Sequence, residues 1–486
     1  MTDPDKLLGE PTEGIQDLHP DADTPGDDGP GEVYQGAHLV ARPLPMPAPS
    51  LLLTLPGVAD LAEADDAPAS PEAAELRGRL TALADANAAA RAASLERLAT
   101  WFPGYDFDVA SQTTDDRRFS LLQIGGELFE YLNALEIVEQ LLVSRDFPGN
   151  KIIFSHGARK GAQPERLFDP TRPALRRPQI GPLVDALDGQ WTCILNSIDQ
   201  SDERIASVIE HLERAYGCPI NTNVYISWGE ALGFGPHWDS HDTIIVPAAG
   251  TKRWRVFEPT VLAPQRPWIG SEVSDRPVWE GDIEPGMCLV IPRGWGHEVL
   301  GSDDLSVHYT IGVNRLTVTD ALQRIVTEGG LQPLLRGDLA YHPRRDVVAY
   351  DRSIHDDDVL TAALDDVVGP QLLERAMATH RARMTMRSFP RLFDTWISAG
   401  TGDWSGATVR MPVPSGVHVA SISTVGAVLA FGNQQVEADA GALAVISTLA
   451  DTLEHPVSAL EATHGASTPA VLRDLVRAGL AEVRLP

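Results

Sequence analysis

Cysteine is scarce. Cys193, Cys218 and Cys288 are the three in 486 residues, far apart and in no CxxC spacing. That argues against a disulfide framework and a structural zinc site, and it fits a reducing cytoplasm. Long apolar runs are missing as well: no stretch approaches the ~18–20 uninterrupted apolar residues that span a bilayer. The opening Met1-Thr2-Asp3-Pro4-Asp5 lacks the basic and apolar regions of a secretory signal. The expectation is a cytoplasmic protein with no membrane partner. Basic residues are the third shortage, 39 Lys+Arg against 68 Asp+Glu, for a formal charge of −29. So negative a field opposes docking on a phosphate backbone and favours basic proteins or peptides. No direct nucleic-acid partner is expected.

What is present is enough for ordinary cores: 43% of residues are hydrophobic, and the length suits two to four domains. Residues 1–69 are acidic and rich in Pro and Gly; the first seventy residues hold fourteen acidic side chains against Lys6 and Arg42. Such a segment buries too little apolar surface to offset its ordering entropy, so most of it reads as a disordered tail. Order begins at Ser70-Pro71-Glu72, a capping hydroxyl before a proline at the first helical position, and Leu76, Leu80 and Leu83 continue at helical spacing toward Trp101. Further helices are expected at Leu128 to Val143 and at Asp199 to Tyr216, the latter closed by Gly217, with a short β run from Lys151 to Phe154 between them. From there to about residue 316 the pattern changes to short β runs between Gly and Pro turns: Asn223 to Ser227, Asp242 to Val246, Arg253 to Phe257, Met287 to Ile291 and Ser306 to Val313. Strands at that spacing point to a jelly-roll sandwich or barrel. Helical patterns return at Ala321 to Glu328 and Asp358 to His380, followed by β runs at Val409 to Val413 and Ala427 to Phe431. The last stretch, Ala442 to Pro486, reads helix, helix, helix, strand, as a small winged helix does. It has few basic side chains, so a structural or partner-docking role is expected rather than DNA binding.

Chemistry concentrates in Gly235-Pro236-His237-Trp238-Asp239. Residues two apart on a strand face the same side, so His237 and Asp239 can both look into a barrel and meet one ion. A third ligand is available in Pro292-Arg293-Gly294-Trp295-Gly296-His297, a turn between two β runs. Two histidines and a carboxylate on one face of a metal leave three positions open, the arrangement of non-haem Fe(II) oxygenases that bind an oxo-acid co-substrate beside oxygen. His241 and Asp242 lie close enough to compete, but a fourth protein ligand would fill a position oxygen needs, so a supporting role fits His241 better. His308 reads as a packed or hydrogen-bonded histidine. The distal carboxylate of 2-oxoglutarate would require a buried cation. Lys252 shares its strand face with Trp254 and Val256, opposite Arg253 and Arg255, and can supply it if that face is the inner one. Asn223, Tyr225 and Ser227 alternate onto one polar face, which suits a pocket for a charged acid.

Residues from about Asp185 to Arg315 resemble the Jumonji-C, or cupin-4, group of Fe(II)/2-oxoglutarate oxygenases, especially the ribosomal oxygenases. The resemblance rests on Asn223-Val-Tyr-Ile-Ser, Gly235-Pro-His-Trp-Asp-Ser-His-Asp242, Gly250-Thr-Lys-Arg-Trp-Arg-Val256, Pro292-Arg-Gly-Trp-Gly-His297 and Ser306-Val-His-Tyr-Thr-Ile-Gly312. It implies His237, Asp239 and His297 as iron ligands, Lys252 as partner of the distal carboxylate, and Asn223 and Tyr225 as co-substrate contacts. The implied fold is α+β, a double-stranded β-helix (jelly-roll, cupin/JmjC) core with helical additions. The implied layout is a tail over 1–69, an oxygenase domain over 70–317, a helical dimerisation region over 318–405 and a winged-helix-like domain over 406–486. A homodimer is expected. The implied activity is hydroxylation of a side chain of a basic protein or peptide, with release of succinate and CO2. Two other readings remain open: an oxygenase of a small metabolite or natural-product peptide, and a catalytically silent cupin scaffold. Gly312, where relatives often carry a polar side chain, and the acidic N-terminal region depart from the group's pattern.

Overall fold

The computed structural model describes residues 39–43, 71–112, 118–132, 134–144, 151–156, 159–160, 167–168, 178–229 and 234–317 (without 262, 265–271 and 301–303). Beyond these it describes 319–320, 323, 339–342, 347–350, 394, 404–411, 418–422, 426–431 and 434–486 (without 452 and 479). Strand β1 (Leu39–Pro43) pairs with a C-terminal strand and is taken up below. The central strands are β2 (Ser120–Gln123), β3 (Ile152–His156), β4 (Arg159–Lys160), β5 (Thr192–Leu195), β6 (Ile220–Ser227) and β7 (His237–Trp238). They continue with β8 (Asp242–Ala249), β9 (Lys252–Phe257), β10 (Trp279–Ile283), β11 (Met287–Ile291), β12 (Gly296–Val299) and β13 (Ser306–Val313). They form an eight-stranded sheet in the order β2-β11-β8-β13-β6-β5-β3-β4 and a four-stranded sheet in the order β10-β9-β12-β7. The pairings are antiparallel, and strands distant in sequence lie side by side, β8 with β13 and β7 with β12. This is the jelly-roll, cupin-type architecture expected from the sequence.

Strand alternation sorts the side chains. Ile245, Leu289 and Ile291 of the larger sheet meet Trp254, Val256 and Ile283 of the smaller one, in a small core between the sheets. Their neighbours Ile244, Val246, Cys288 and Val290 face the other way and pack under helices. Two helices dominate that cover: α1 (Pro71–Trp101) and α2 (Glu203–Tyr216). In α2, Ile205, Val208, Ile209 and Leu212 recur at helical spacing and are buried. The helix begins later than the expected Asp199. Residues 198–200 form a 3₁₀ turn, and the Asp202 carboxylate caps the helix proper by accepting the N–H groups of Arg204 and Ile205 at 2.9 and 3.3 Å. The helix expected over Leu128 to Val143 is broken into Gly126–Leu132, Ala134–Glu139 and a π turn at Gln140–Ser144.

Past the jelly roll, β14 (Leu339–His342) and β15 (Val347–Tyr350) form a hairpin. The helices expected at Ala321 to Glu328 and Asp358 to His380 lie outside the described residues, save position 323. Next come β16 (Thr408–Arg410), β17 (His418–Ile422), β18 (Gly426–Phe431), β19 (Gln434–Asp439), α3 (Ala440–Leu449), β20 (His455–Pro456), α4 (Val457–His464), α5 (Thr468–Arg477) and β21 (Glu482–Arg484). One sheet runs β1-β19-β18-β17, so a strand forms within the stretch read as a tail, and another runs β20-β16-β21. They share a core with α3, α4 and α5. Helix α1 belongs to both cores: Leu76, Leu80 and Leu83 enter the C-terminal one, while Leu98 and Trp101 enter the jelly roll's outer core.

Candidate metal centre and adjoining pocket

His237 and His297 are cross-strand partners in the β7–β12 pair, which brings together two residues sixty positions apart. Their ring centroids are 4.4 Å apart. Asp239, just past β7, is held by its own carbonyl, which accepts the N–H of Gly294 at 2.9 Å. Gly294 has φ +84, and a Cβ there would stand 2.6 Å from the carbonyl oxygen of Val261, so the turn that delivers His297 needs glycine. One donor atom from each of His237, Asp239 and His297 lies within 4.8 Å of the other two, and His297 Nε2 is 3.8 Å from Asp239 Oδ2. In both imidazoles Nδ1 sits on the carbonyl oxygen two residues earlier, Gly235 at 2.9 Å and Trp295 at 3.4 Å. With Nδ1–H donating there, each Nε2 stays available to ligate. Burial pushes the His297 imidazole down to about 4, helped by His237 and opposed by Asp239, so it is neutral at pH 7. The His297 side chain is 6% exposed and that of Asp239 29%, so one side of the cluster is open.

Behind the cluster the interior is polar. Lys252 is buried, and its ammonium donates to Ser227 Oγ, which is 3.0 Å from Ser306 Oγ. No acidic side chain pairs with it among the described residues. Burial lowers its pKa to about 8. His308 stacks on Tyr225, with centroids 5.0 Å apart and planes within 1°, and lies edge-on to Trp254. Its buried Nδ1 has no hydrogen-bond partner among the described residues, and burial together with Lys252 holds its pKa well below the ordinary value. Burial and the Asp239 carboxylate raise the Tyr225 hydroxyl, opposed by a hydrogen bond with Asn223. The Asn223 side-chain oxygen also accepts the backbone N–H of Ser197 at 3.0 Å, so this residue holds a turn as well as meeting Tyr225.

Residues 194–321 match the JmjC domain family. The chain carries a JmjC domain. Part of the chain is similar to the bifunctional lysine-specific demethylase and histidyl-hydroxylase NO66 of Caenorhabditis elegans, 30% identical over 136 residues, 26% of this chain and 18% of that protein. It is also similar to ribosomal oxygenase 2 of Bos taurus, 36% identical over 105 residues, 21% of this chain and 23% of that protein. The chain thus spans less than a quarter of the length of these curated relatives. Among solved structures it is similar to Escherichia coli YcfD, with 15% identity, coverage of 79% of this chain and 99% of that one, and a TM-score of 0.49. The structure of YcfD, a ribosomal oxygenase, in complex with cobalt and 2-oxoglutarate gives 16% identity, 78% and 99% coverage and a TM-score of 0.48.

Within the JmjC domain the donor set suits a metal. Two imidazoles, one of them buried and neutral, and one carboxylate leave part of the coordination sphere open, which fits Fe(II). A buried ammonium that meets hydroxyl groups, beside an unpartnered imidazole nitrogen, fits a carboxylate guest. Asp242, weighed as a competing ligand, is committed elsewhere: it accepts the N–H of Arg293 at 3.0 Å and Nε of Arg315 at 2.8 Å. His241 Nε2 is 4.0 Å from Asp239 Oδ2 and lies outside the three-residue cluster. Sequence reasoning did not single out Ser306, Thr243 or Arg315. Ser306 shares the inward face of β13 with His308, so period-two alternation could have found it. Thr243 Oγ1, 3.4 Å from Asp239 Oδ2, and Arg315 had no local signal.

Proposed function

We propose that this chain is an Fe(II)/2-oxoglutarate-dependent oxygenase that hydroxylates a side chain of a protein or peptide. One observation carries the reading: His237, Asp239 and His297 converge at the open end of a polar interior that also holds the buried ammonium of Lys252. Bound there, iron with 2-oxoglutarate and oxygen supplies the oxidising power that turns C–H into C–OH, with release of succinate and CO2. The chain's own contribution is placement. His237 and His297 present Nε2 because backbone carbonyls hold Nδ1, and Asp239 offers a carboxylate oxygen within 4.8 Å of both. Lys252, Ser227 and Ser306 hold the distal carboxylate, and Tyr225 and Asn223 line the wall. Trp254 and Val256 exclude water from the inner face. A substrate carbon enters from the side where Asp239 is exposed, and its position there selects the atom that reacts.

The substrate is a basic segment, in keeping with the −29 charge of the chain. The names of the relatives, a histidyl-hydroxylase and a ribosomal oxygenase, make histidine-containing peptides of ribosomal proteins the first to try. Residues 318–405 serve as a dimerisation region in a cytoplasmic homodimer. Residues 406–486 form a winged-helix-like docking unit, a reading supported by α3, α4 and α5 beside the β20-β16-β21 sheet. Incubation with iron, 2-oxoglutarate and such peptides is expected to yield succinate and a mass gain of one oxygen, both lost in His237→Ala. Absence of succinate with every peptide and metabolite tried would overturn the reading.

A further inference from the structure

Gly312 sits near the end of β13, between Asn221 of β6 and Thr243 of β8 in the sheet register. A Cβ at this position would stand 2.9 Å from Cδ2 and 3.0 Å from Nε2 of His241, and 3.2 Å from Oδ1 of Asn221. The imidazole of His241 therefore occupies the space that a side chain at 312 would take. The strand conformation of residue 312 does not itself call for glycine, so the close approach is the constraint. Asn221 backs this packing, because its Oδ1 accepts Nδ2 of Asn314 at 3.0 Å, and Asn314 also donates to the carbonyl of Gly312 at 3.3 Å.

The same ring reaches the candidate metal centre. His241 Nε2 lies 4.0 Å from Asp239 Oδ2, about 1 Å beyond a hydrogen bond. It reaches that point because β7 ends at Trp238 and β8 begins at Asp242, so the chain bends at residues 239–241 and carries the ring across to β13. Oδ2 is also 3.4 Å from Thr243 Oγ1 and 3.8 Å from His297 Nε2. An aspartate that is 29% exposed and follows a two-residue strand has rotamers available that turn its carboxylate away from the cluster. A ring wedged against Gly312 closes off that freedom on one side.

We propose that His241 is a positioning residue: lodged against Gly312, it holds the Asp239 carboxylate in the orientation that meets a metal with His237 and His297, and residue 312 is glycine because the ring needs its volume. The inference rests on the metal centre proposed above and adds to it a steric pair that the three-residue ligand set does not contain. Partners that orient a ligand typically contribute about 10–100-fold to metal affinity.

Cobalt(II) titration of the full chain, followed through its d–d absorption bands, tests the pair in four proteins: unaltered, His241→Ala, Gly312→Ala and the double variant. Thermal unfolding of the metal-free proteins serves as a check on folding. His241→Ala is expected to weaken cobalt binding about tenfold and shift the bands. Gly312→Ala is expected to do the same by displacing the ring. The double variant should be no weaker than His241→Ala, because with the ring gone an alanine at 312 no longer displaces it and meets only the Asn221 Oδ1 at 3.2 Å. His241→Gln, which keeps much of the side-chain volume, should recover part of the loss. Unchanged affinity in His241→Ala, or losses that add in the double variant, would overturn the proposal. If Gly312→Ala fails to fold, the comparison of His241→Ala with His241→Gln still decides. Absence of cobalt binding by the unaltered protein would overturn the metal centre itself, and this inference with it.

Discussion

Lys252 combines a charge with complete burial, and its neighbours do little to neutralise it. The ammonium meets the Ser227 hydroxyl, His308 beside it is held neutral, and its pKa falls to about 8 from the ordinary 10.5. In the metal-free protein this lysine is therefore a cost to stability. Between pH 8 and 10.5 the unfolded chain holds a proton that the folded chain has released, so this group makes stability rise with pH across that window. Below it the penalty is constant. Denaturant midpoints at two pH values spanning the window should show that slope, and Lys252→Met should remove it and leave the metal-free protein at least as stable. Binding of 2-oxoglutarate should behave oppositely. Above pH 8 its affinity should fall about tenfold per pH unit, because the guest carboxylate requires the charged ammonium. At neutral pH, Lys252→Met should weaken it about 10–100-fold, the range for a charge-assisted contact. Calorimetric titration of 2-oxoglutarate into the cobalt-loaded protein measures both. A pH-independent affinity would mean that the distal carboxylate lies elsewhere.

At the scale of strands and helices, the Arg315–Asp242 pair ties together what the site needs. Arg315 follows β13, and its guanidinium joins Asp242 at the start of β8 to the carbonyls of Ala110 and Ser111 at the end of the helix Phe107–Gln112, while lying over the ring of Tyr216 in α2. Asp242 in turn receives the N–H of Arg293 in the turn that delivers His297. Asp242 is buried and Arg315 nearly so, at 6% and 13% exposure, so Arg315→Ala leaves a buried carboxylate without its cation and should cost about 3–5 kcal/mol in urea unfolding. Cobalt affinity should drop as well, through the loosened turn. The sequence carried part of this. Met287–Ile291 was legible as a near-continuous apolar run, and Ser306–Val313 as an alternation of Val307, Tyr309, Ile311 and Val313 with polar or small residues. By contrast β10, Trp279-Glu-Gly-Asp-Ile283, is a half-exposed edge strand whose polar composition hides it, and β12 is four residues long. The facing of His237 and Asp239 was readable from a period of two. Their meeting with His297 depends on β7 pairing with β12 across sixty residues, and the seat of His241 on Gly312 depends on a bend and a distant strand. Local patterns encode neither.

At the scale of the whole molecule, α1 links the site-bearing jelly roll to the C-terminal unit, since one continuous helix buries Leu80 and Leu83 in one core and Leu98 and Trp101 in the other. The unit that would dock a partner thereby shares a helix with the domain that carries the metal centre. Charge supplies the complementary long-range effect. With a formal −29 spread over 486 residues, attraction of a basic peptide acts over the Debye length, which shrinks from about 10 Å at 0.1 M salt to about 3 Å at 1 M. The KM for a basic peptide should therefore rise several-fold across that range, mainly through slower association. The KM for 2-oxoglutarate should change much less, because its charge partner is buried and poorly screened. The two co-substrates, measured in one assay by succinate release, control for each other. A substrate KM indifferent to salt would mean that the acidic surface plays no part in recognition, and would shift the choice from a basic protein segment to an uncharged small molecule.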